Sequence, residues 1–156
     1  MPARSAGILL HRRRSGAVQV LLVHPGGPVW ARRDFGAWSL PKGEYHGHEE
    51  ALAAARREFE EELGSPPPEG AVHELGEVRL RSGKRVVAWA LEGDFDAATA
   101  RSNTFVIEWP PRSGRRIEVP EVDRAEWFSP TEARRRLNPA QAAFVDRLEE
   151  LLAPGR

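Results

Sequence analysis

The segment from Gly43 to Gly64 constrains this chain more than any other. Within it, His48–Leu63 predicts a helix: the stretch is rich in Ala, and Leu52, Ala55, Phe59 and Leu63 recur at spacings of three and four. That apolar stripe has to be buried against something. The end of the helix is marked as clearly, because Gly64 suits a left-handed cap and Ser65-Pro66-Pro67-Pro68 forbids continuation. Positions three and four apart share a helix face, so Glu58, Glu61 and Glu62 project as a cluster beside that stripe. Like charges at that spacing destabilise a helix by about 0.2–0.5 kcal/mol per pair. Taken alone, a Glu-rich face is ordinarily a solvated surface. A divalent cation would offset the repulsion, since Mg²⁺ takes oxygen ligands and keeps waters and substrate phosphates in its shell. Arg57, directly adjacent, can hold a carboxylate in a forked ion pair.

The flanks read mostly as strands. Ala6–Leu10 and Val18–Val23 are two short apolar runs separated by the polar His11–Gly16 stretch. Pro25-Gly26-Gly27-Pro28 breaks the chain, and a loop follows through Trp30, Phe35 and Trp38 to Pro41-Lys42-Gly43. Beyond the helix, Ala71–Arg81 and Arg85–Leu91 predict strands paired about Ser82-Gly83. Phe105–Trp109 is a further strand, residues 110–116 a basic loop, and Glu126–Phe128 a short extended stretch. A helix over Ser129–Leu137 precedes an amphipathic one over Pro139–Leu152, with Phe144, Val145, Leu148, Leu151 and Leu152 facing inward. The expectation is one mixed α/β domain over residues 1–156.

Composition narrows the function. The 23 basic and 23 acidic side chains cancel to zero net charge, unlike a dedicated nucleic-acid binder. No apolar run approaches a membrane span. Without cysteine there is no disulfide, thiolate nucleophile or Cys-based zinc site. Residues 1–33 carry six arginines and no acid, as transit peptides do, but the alternation of apolar runs and turns reads as a basic hairpin. Glu49–Glu62 holds six glutamates against two arginines, which leaves the rest of the chain with an excess of four positive charges. Neutrality here is a product of segregation.

The segment resembles the Nudix box, G-x5-E-x7-R-E-U-x-E-E-x-G-U, where U is a bulky apolar residue. Gly43, Glu49, Arg57, Glu58, Phe59, Glu61, Glu62 and Gly64 all fall on the pattern, and only Ser65 departs from it. The strand-like flanks extend the resemblance from about Ala6 to Leu152. It implies an α/β/α sandwich with a mixed β-sheet between helices, and hydrolysis of a nucleoside diphosphate linked to another group, X. It also implies that Glu58, Glu61 and Glu62 hold Mg²⁺ or Mn²⁺ with help from the carbonyl of Gly43. Arg57 would orient those glutamates, while Glu49 and Gly64 would be structural. Many members use one more acid outside the box; Glu121 is the first choice, with Glu118 and Glu108 in reserve. A carboxylate would take the proton of the attacking water, and Glu58 and Glu121 are both candidates.

Substrate clues come from the same resemblance. Ser39-Leu40-Pro41-Lys42-Gly43 is similar to diadenosine-polyphosphate-type members, and Lys42 suits a distal phosphate. Arg112 could meet an anionic substrate and Trp38 could stack a base. Arg79, Arg81, Lys84 and Arg85 form a second basic group. A dinucleoside polyphosphate or a nucleoside triphosphate is the expected substrate class, with an ADP-sugar pyrophosphatase or a non-catalytic nucleotide-sensing module as alternatives. The expected setting is the cytoplasm, with a small phosphorylated partner, no nucleic-acid polymer and no membrane. A homodimer is compatible with the sequence.

Overall fold

Alternation along the first strand determines the layering. The computed structural model describes residues 3–154, so the first two and last two positions of the expected 1–156 domain lie outside the described residues. In β1 (Arg4–Arg14), Ala6, Ile8 and Leu10 belong to one apolar core and Leu9 to the other, and all four are fully buried. A strand buried on both faces belongs at the centre of a sheet. β2 (Ala17–Pro25) returns antiparallel beside residues 11–14 after a Ser15-Gly16 turn in which both residues have positive φ. The other half of that edge, residues 4–7, pairs with β3 (Lys42–Tyr45). β4 (Val72–Arg79) and β5 (Arg85–Glu92) form a hairpin, and β5 runs parallel to β1 from Arg4 to His11.

Two further strands, β6 (Thr104–Glu108) and β7 (Arg116–Pro120), make a separate two-stranded hairpin, and β8 (Val122–Phe128) then joins the main sheet against β2. The order is β4-β5-β1-β2-β8, with β3 beside β1. Helix α1 (Ala51–Leu63) buries Ala54, Ala55, Phe59 and Leu63 on one face. On the other, α2 (Pro130–Arg136) and α3 (Ala142–Leu152) bury Ala133, Phe144, Val145 and Leu148. The expected α/β/α sandwich with a mixed sheet is present. No helix among the described residues is long and apolar enough to cross a membrane.

Several boundaries differ from the sequence reading. The box helix starts at Ala51, not His48, because Glu50 is extended (ψ 137°) and the Glu49 amide closes a turn on His46. β3 falls where loop was expected, and β7 starts at the last residue of the expected basic loop and runs through a stretch to which no element was assigned. β8 covers seven residues, not the three of Glu126–Phe128. The closing helix is preceded by a separate 3₁₀ turn over Pro139–Gln141, and Leu151 is exposed.

Candidate active site

Glycine at position 43 is explained by what stands in place of its side chain. A Cβ there would lie 1.6 Å from Glu58 Oε1 and 2.0 Å from its carboxyl carbon, so the carboxylate is pressed against β3 backbone. Glu58 is consequently only 8% exposed. One residue earlier, the Lys42 amide donates to Glu62 Oε1 at 3.3 Å, and β3 therefore grips both carboxylates. At the far end of α1, Gly64 (φ 85°) caps the helix with its N–H on Glu60 O at 2.7 Å. A Cβ there would meet the carbonyl oxygen of Arg101 at 2.7 Å.

Arg57 organises the rest. Its Nε and Nη2 donate to the two oxygens of Glu49 at 2.9 and 3.0 Å, a forked pair that fixes the guanidinium. Nη1 then reaches Glu58 Oε2 at 3.0 Å and Glu61 Oε1 at 3.2 Å. The bonds to Glu49 foremost hold the Arg57 pKa above its already high ordinary value.

The carboxylates strain against their surroundings. Burial, followed by the hydrogen bond to Glu61 and its charge, pushes Glu58 up to about 7 against the pull of Arg57. Burial also pushes Glu62 up to about 8, with Lys42 opposing and Glu58 and Glu121 adding to the rise. Glu121, reached only after the β6–β7 hairpin, is itself raised by burial and then by Glu61. It therefore shares one electrostatic space with all three box glutamates. Its carboxylate has no hydrogen-bond or ion-pair partner among the described residues.

Two cations border this space. Lys42 is half-buried, and its ammonium has no hydrogen bond or ion pair within 4 Å among the described residues. Burial, then Lys84, lowers its pKa, while Glu62, Glu44 and Glu58 hold it up. Lys84 lies 3.7 Å from Glu44. These are the only lysines in the chain; every other base is arginine.

Other expected residues stand elsewhere. Trp38 is fully buried, with Nε1 on Asp34 Oδ1 at 2.7 Å and its ring edge-on to His24 and Phe128. The Arg124 guanidinium lies 5.1 Å over the ring, and with no surface exposed Trp38 has no face to offer a base, which corrects the expectation that it stacks on substrate. Arg112 sits in the turn of the β6–β7 hairpin, beyond the Glu108↔Arg116 pair, whereas Glu121 follows Pro120 at the opposite end. The structure does not bring Arg112 to the carboxylates. Glu108 is there too, its two oxygens accepting the amides of Arg112 and Gly114 at 3.0 Å each, and Glu118 is exposed within β7. Of the three outside acids, Glu121 joins the cluster.

Sequence reasoning overlooked His24. It is fully buried, with Nδ1 2.8 Å from Asp123 Oδ1 and Nε2 2.6 Å from the carbonyl of Arg33. It thereby ties the loop after β2 to β8, two residues beyond Glu121. A lone histidine closing the apolar run Val20–Val23 was the available signal.

The NUDIX domain family matches residues 1–148. The chain belongs to that family. With every charged position of the Nudix box filled, it is a Nudix pyrophosphohydrolase. Similar solved structures include a Caenorhabditis elegans Ap4A hydrolase binary complex at 20% identity, covering 96% of this chain and 97% of that one with a TM-score of 0.68. The NUDIX domain of Shewanella oneidensis NrtR, complexed with ADP ribose, shares 15% identity over 98% of this chain and 90% of that one, with a TM-score of 0.67. A MutT protein from Methanosarcina mazei Go1 shares 20% identity over 97% and 96%, with a TM-score of 0.63. Likeness at this identity speaks for the fold. No curated protein matches the sequence.

The Nudix box residues fit a hard divalent cation. Carboxylate oxygens with no thiol among them are the donor set of Mg²⁺ or Mn²⁺. Glu58 and Glu62 are raised first by burial and then by neighbouring carboxylates, and a bound cation would favour their charged forms against both. Among the described residues no three such side chains stand in ready coordination geometry, and the Arg57 guanidinium instead supplies positive charge between Glu58 and Glu61.

Proposed function

We propose that this Nudix domain hydrolyses a phosphoanhydride bond in a nucleotide with an extended phosphate chain, a dinucleoside polyphosphate or a nucleoside triphosphate. Mg²⁺, replaceable by Mn²⁺, would be held by Glu58, Glu61 and Glu62, with the Gly43 carbonyl as a further ligand. The observation that carries this reading is the convergence of those glutamates and Glu121 on one space bordered by Lys42 and Lys84. When bound, the cation neutralises charge growing on the phosphate oxygens and lowers the pKa of the attacking water. Arg57 holds Glu58 and Glu61 in place, and β3 holds Glu58 and Glu62. Lys42, whose ammonium has no hydrogen bond or ion pair among the described residues, pairs with a phosphate of the chain, and Lys84 lies beside it.

Glu121 is the base in this reading. Glu58 is engaged by Arg57 at 3.0 Å and pressed on Gly43, whereas the Glu121 carboxylate is free to accept a proton. The water oxygen bonds to phosphorus, its proton passes to Glu121, and the bridging P–O bond breaks in line so that the bridging oxygen leaves on the departing phosphate. An Ap4A hydrolase among the similar structures accords with the substrate class.

The test is incubation with Mg²⁺ and a panel of nucleoside triphosphates, dinucleoside polyphosphates and sugar nucleotides, scored for phosphate-containing products. Glu61→Gln with Glu62→Gln should abolish turnover while circular dichroism and thermal unfolding stay those of a folded protein. Unchanged turnover in that double variant would sink the assignment.

A further inference from the structure

We infer that Ser102 is a positioning residue that sets the direction of the Glu121 side chain, an inference that rests on reading Glu121 as the base. Glu121 is the single residue between the end of β7 at Pro120 and the start of β8 at Val122, so neither strand ladder fixes it. Its backbone is instead held by the segment that leaves the box helix. The amides of Arg101 and Asn103 donate to Leu63 O at 3.0 Å and Glu61 O at 2.9 Å, taking two of the carbonyls that the end of α1 leaves open. The Asn103 carbonyl then accepts the Glu121 amide at 2.9 Å. On the other side, the Gly26 amide donates to Glu121 O at 3.1 Å.

Ser102 locks this strap to β8. Its Oγ accepts the Val122 amide at 3.0 Å, and its one proton lies between the carbonyls of Asn103 at 2.9 Å and Val122 at 3.1 Å. A hydroxyl is the smallest side chain that both donates and accepts at one atom. Ser102 thus binds both neighbours of the Asn103–Glu121 link: the carbonyl that receives the Glu121 amide, and the residue that follows Glu121. The same strap is bonded to the backbone of Glu61, so the separation of Glu121 from the box glutamates is set by three consecutive residues, 101–103. Ser102→Ala removes the hydroxyl that makes these bonds without touching any carboxylate, and Ser102→Thr retains a hydroxyl there.

Two measurements test this. Amide hydrogen exchange, followed by NMR in Ser102→Ala, should show faster exchange at Glu121 and Asn103, with protection restored in Ser102→Thr. Turnover should fall about ten- to a hundredfold in kcat with little change in KM, as expected of a displacement of order 1 Å at a reacting group. In a Glu121→Gln background, Ser102→Ala should cost nothing further, because the group it positions is already lost. Unchanged exchange at Glu121 and Asn103 would overturn the inference, as would an equal loss of kcat in both backgrounds. If the wild-type protein turns over nothing in the panel, the proposed function fails, and the exchange measurement still decides the role of Ser102.

Discussion

Gly43→Ala is the sharpest test of how the box is built. The added Cβ would stand 1.6 Å from Glu58 Oε1, 2.0 Å from its carboxyl carbon and 2.5 Å from Oε2. Non-bonded heavy atoms settle at roughly 3.5 Å, so the carboxylate must retreat by about 2 Å. It cannot do so and keep its 3.0 Å bond to Arg57. Overpacking of this kind costs about 1–3 kcal/mol, partly offset because an expelled Glu58 escapes the burial that raises its pKa. The catalytic effect should be larger, since a misplacement of about 1 Å already costs on the order of a hundredfold in rate. Urea unfolding at pH 8 gives the stability change, and turnover under saturating Mg²⁺ gives the rate. Glu58→Ala supplies the control: with the carboxylate gone, Gly43→Ala should recover most of the stability it lost. A Gly43→Ala protein with unchanged midpoint and rate would refute the close-packing argument. So would an equal loss of stability in the Glu58→Ala background.

Two other outcomes follow from the same geometry. Glu58 and Glu62 have folded pKa values near 7 and 8, above the ordinary 4.5, so the folded state binds more protons than the unfolded one between those limits. Metal-free stability should therefore be greatest below pH 4.5 with respect to these groups and decline as pH rises to about 8, by an amount on the order of a few kcal/mol. Added divalent cation should restore the urea midpoint at pH 8.5, and a midpoint flat from pH 5 to 8.5 would contradict the shifts. His24→Leu strips partners from Asp123 and from the Arg33 carbonyl and should cost about 2–4 kcal/mol in urea unfolding. A loss under about 0.5 kcal/mol, the usual range for surface changes, would show that the clamp carries no stability.

The box was legible because its rules are local. The spacing of Glu58, Glu61 and Glu62, the glycine cap at 64 and the proline run after it all act within a few turns of chain. Gly43 was identified as well, although its reason, a carboxylate fifteen residues later, is visible only in three dimensions. What escaped depends on distant partners. Lys42–Tyr45 has too few residues and too little alternation to announce a strand, and becomes one because β1 offers an open edge. Arg116–Pro120 likewise owes its conformation to Thr104–Glu108. Trp38, in the loop before the box, was a candidate to stack a base, but contacts with residues near 128 and 137 bury it. Ser102 is an ordinary loop serine in sequence, and only the return of the chain at Val122 gives it work.

The placement of β1 has a consequence for how the protein is made. Among the described strands β1 comes earliest in the chain and every other part of the main sheet is built around it, yet its long-range parallel partner ends at Glu92 and the outermost strand beyond β2 ends at Phe128. Until those segments emerge, β1 is an apolar ribbon with one edge bare, the condition under which nascent chains are most prone to aggregate. The four arginines at positions 4, 12, 13 and 14 flank its apolar stretch, and charges so placed disfavour edge-to-edge pairing. Deleting the first seven residues would remove no carboxylate and no lysine, yet it would take away the edge on which Lys42–Tyr45 forms.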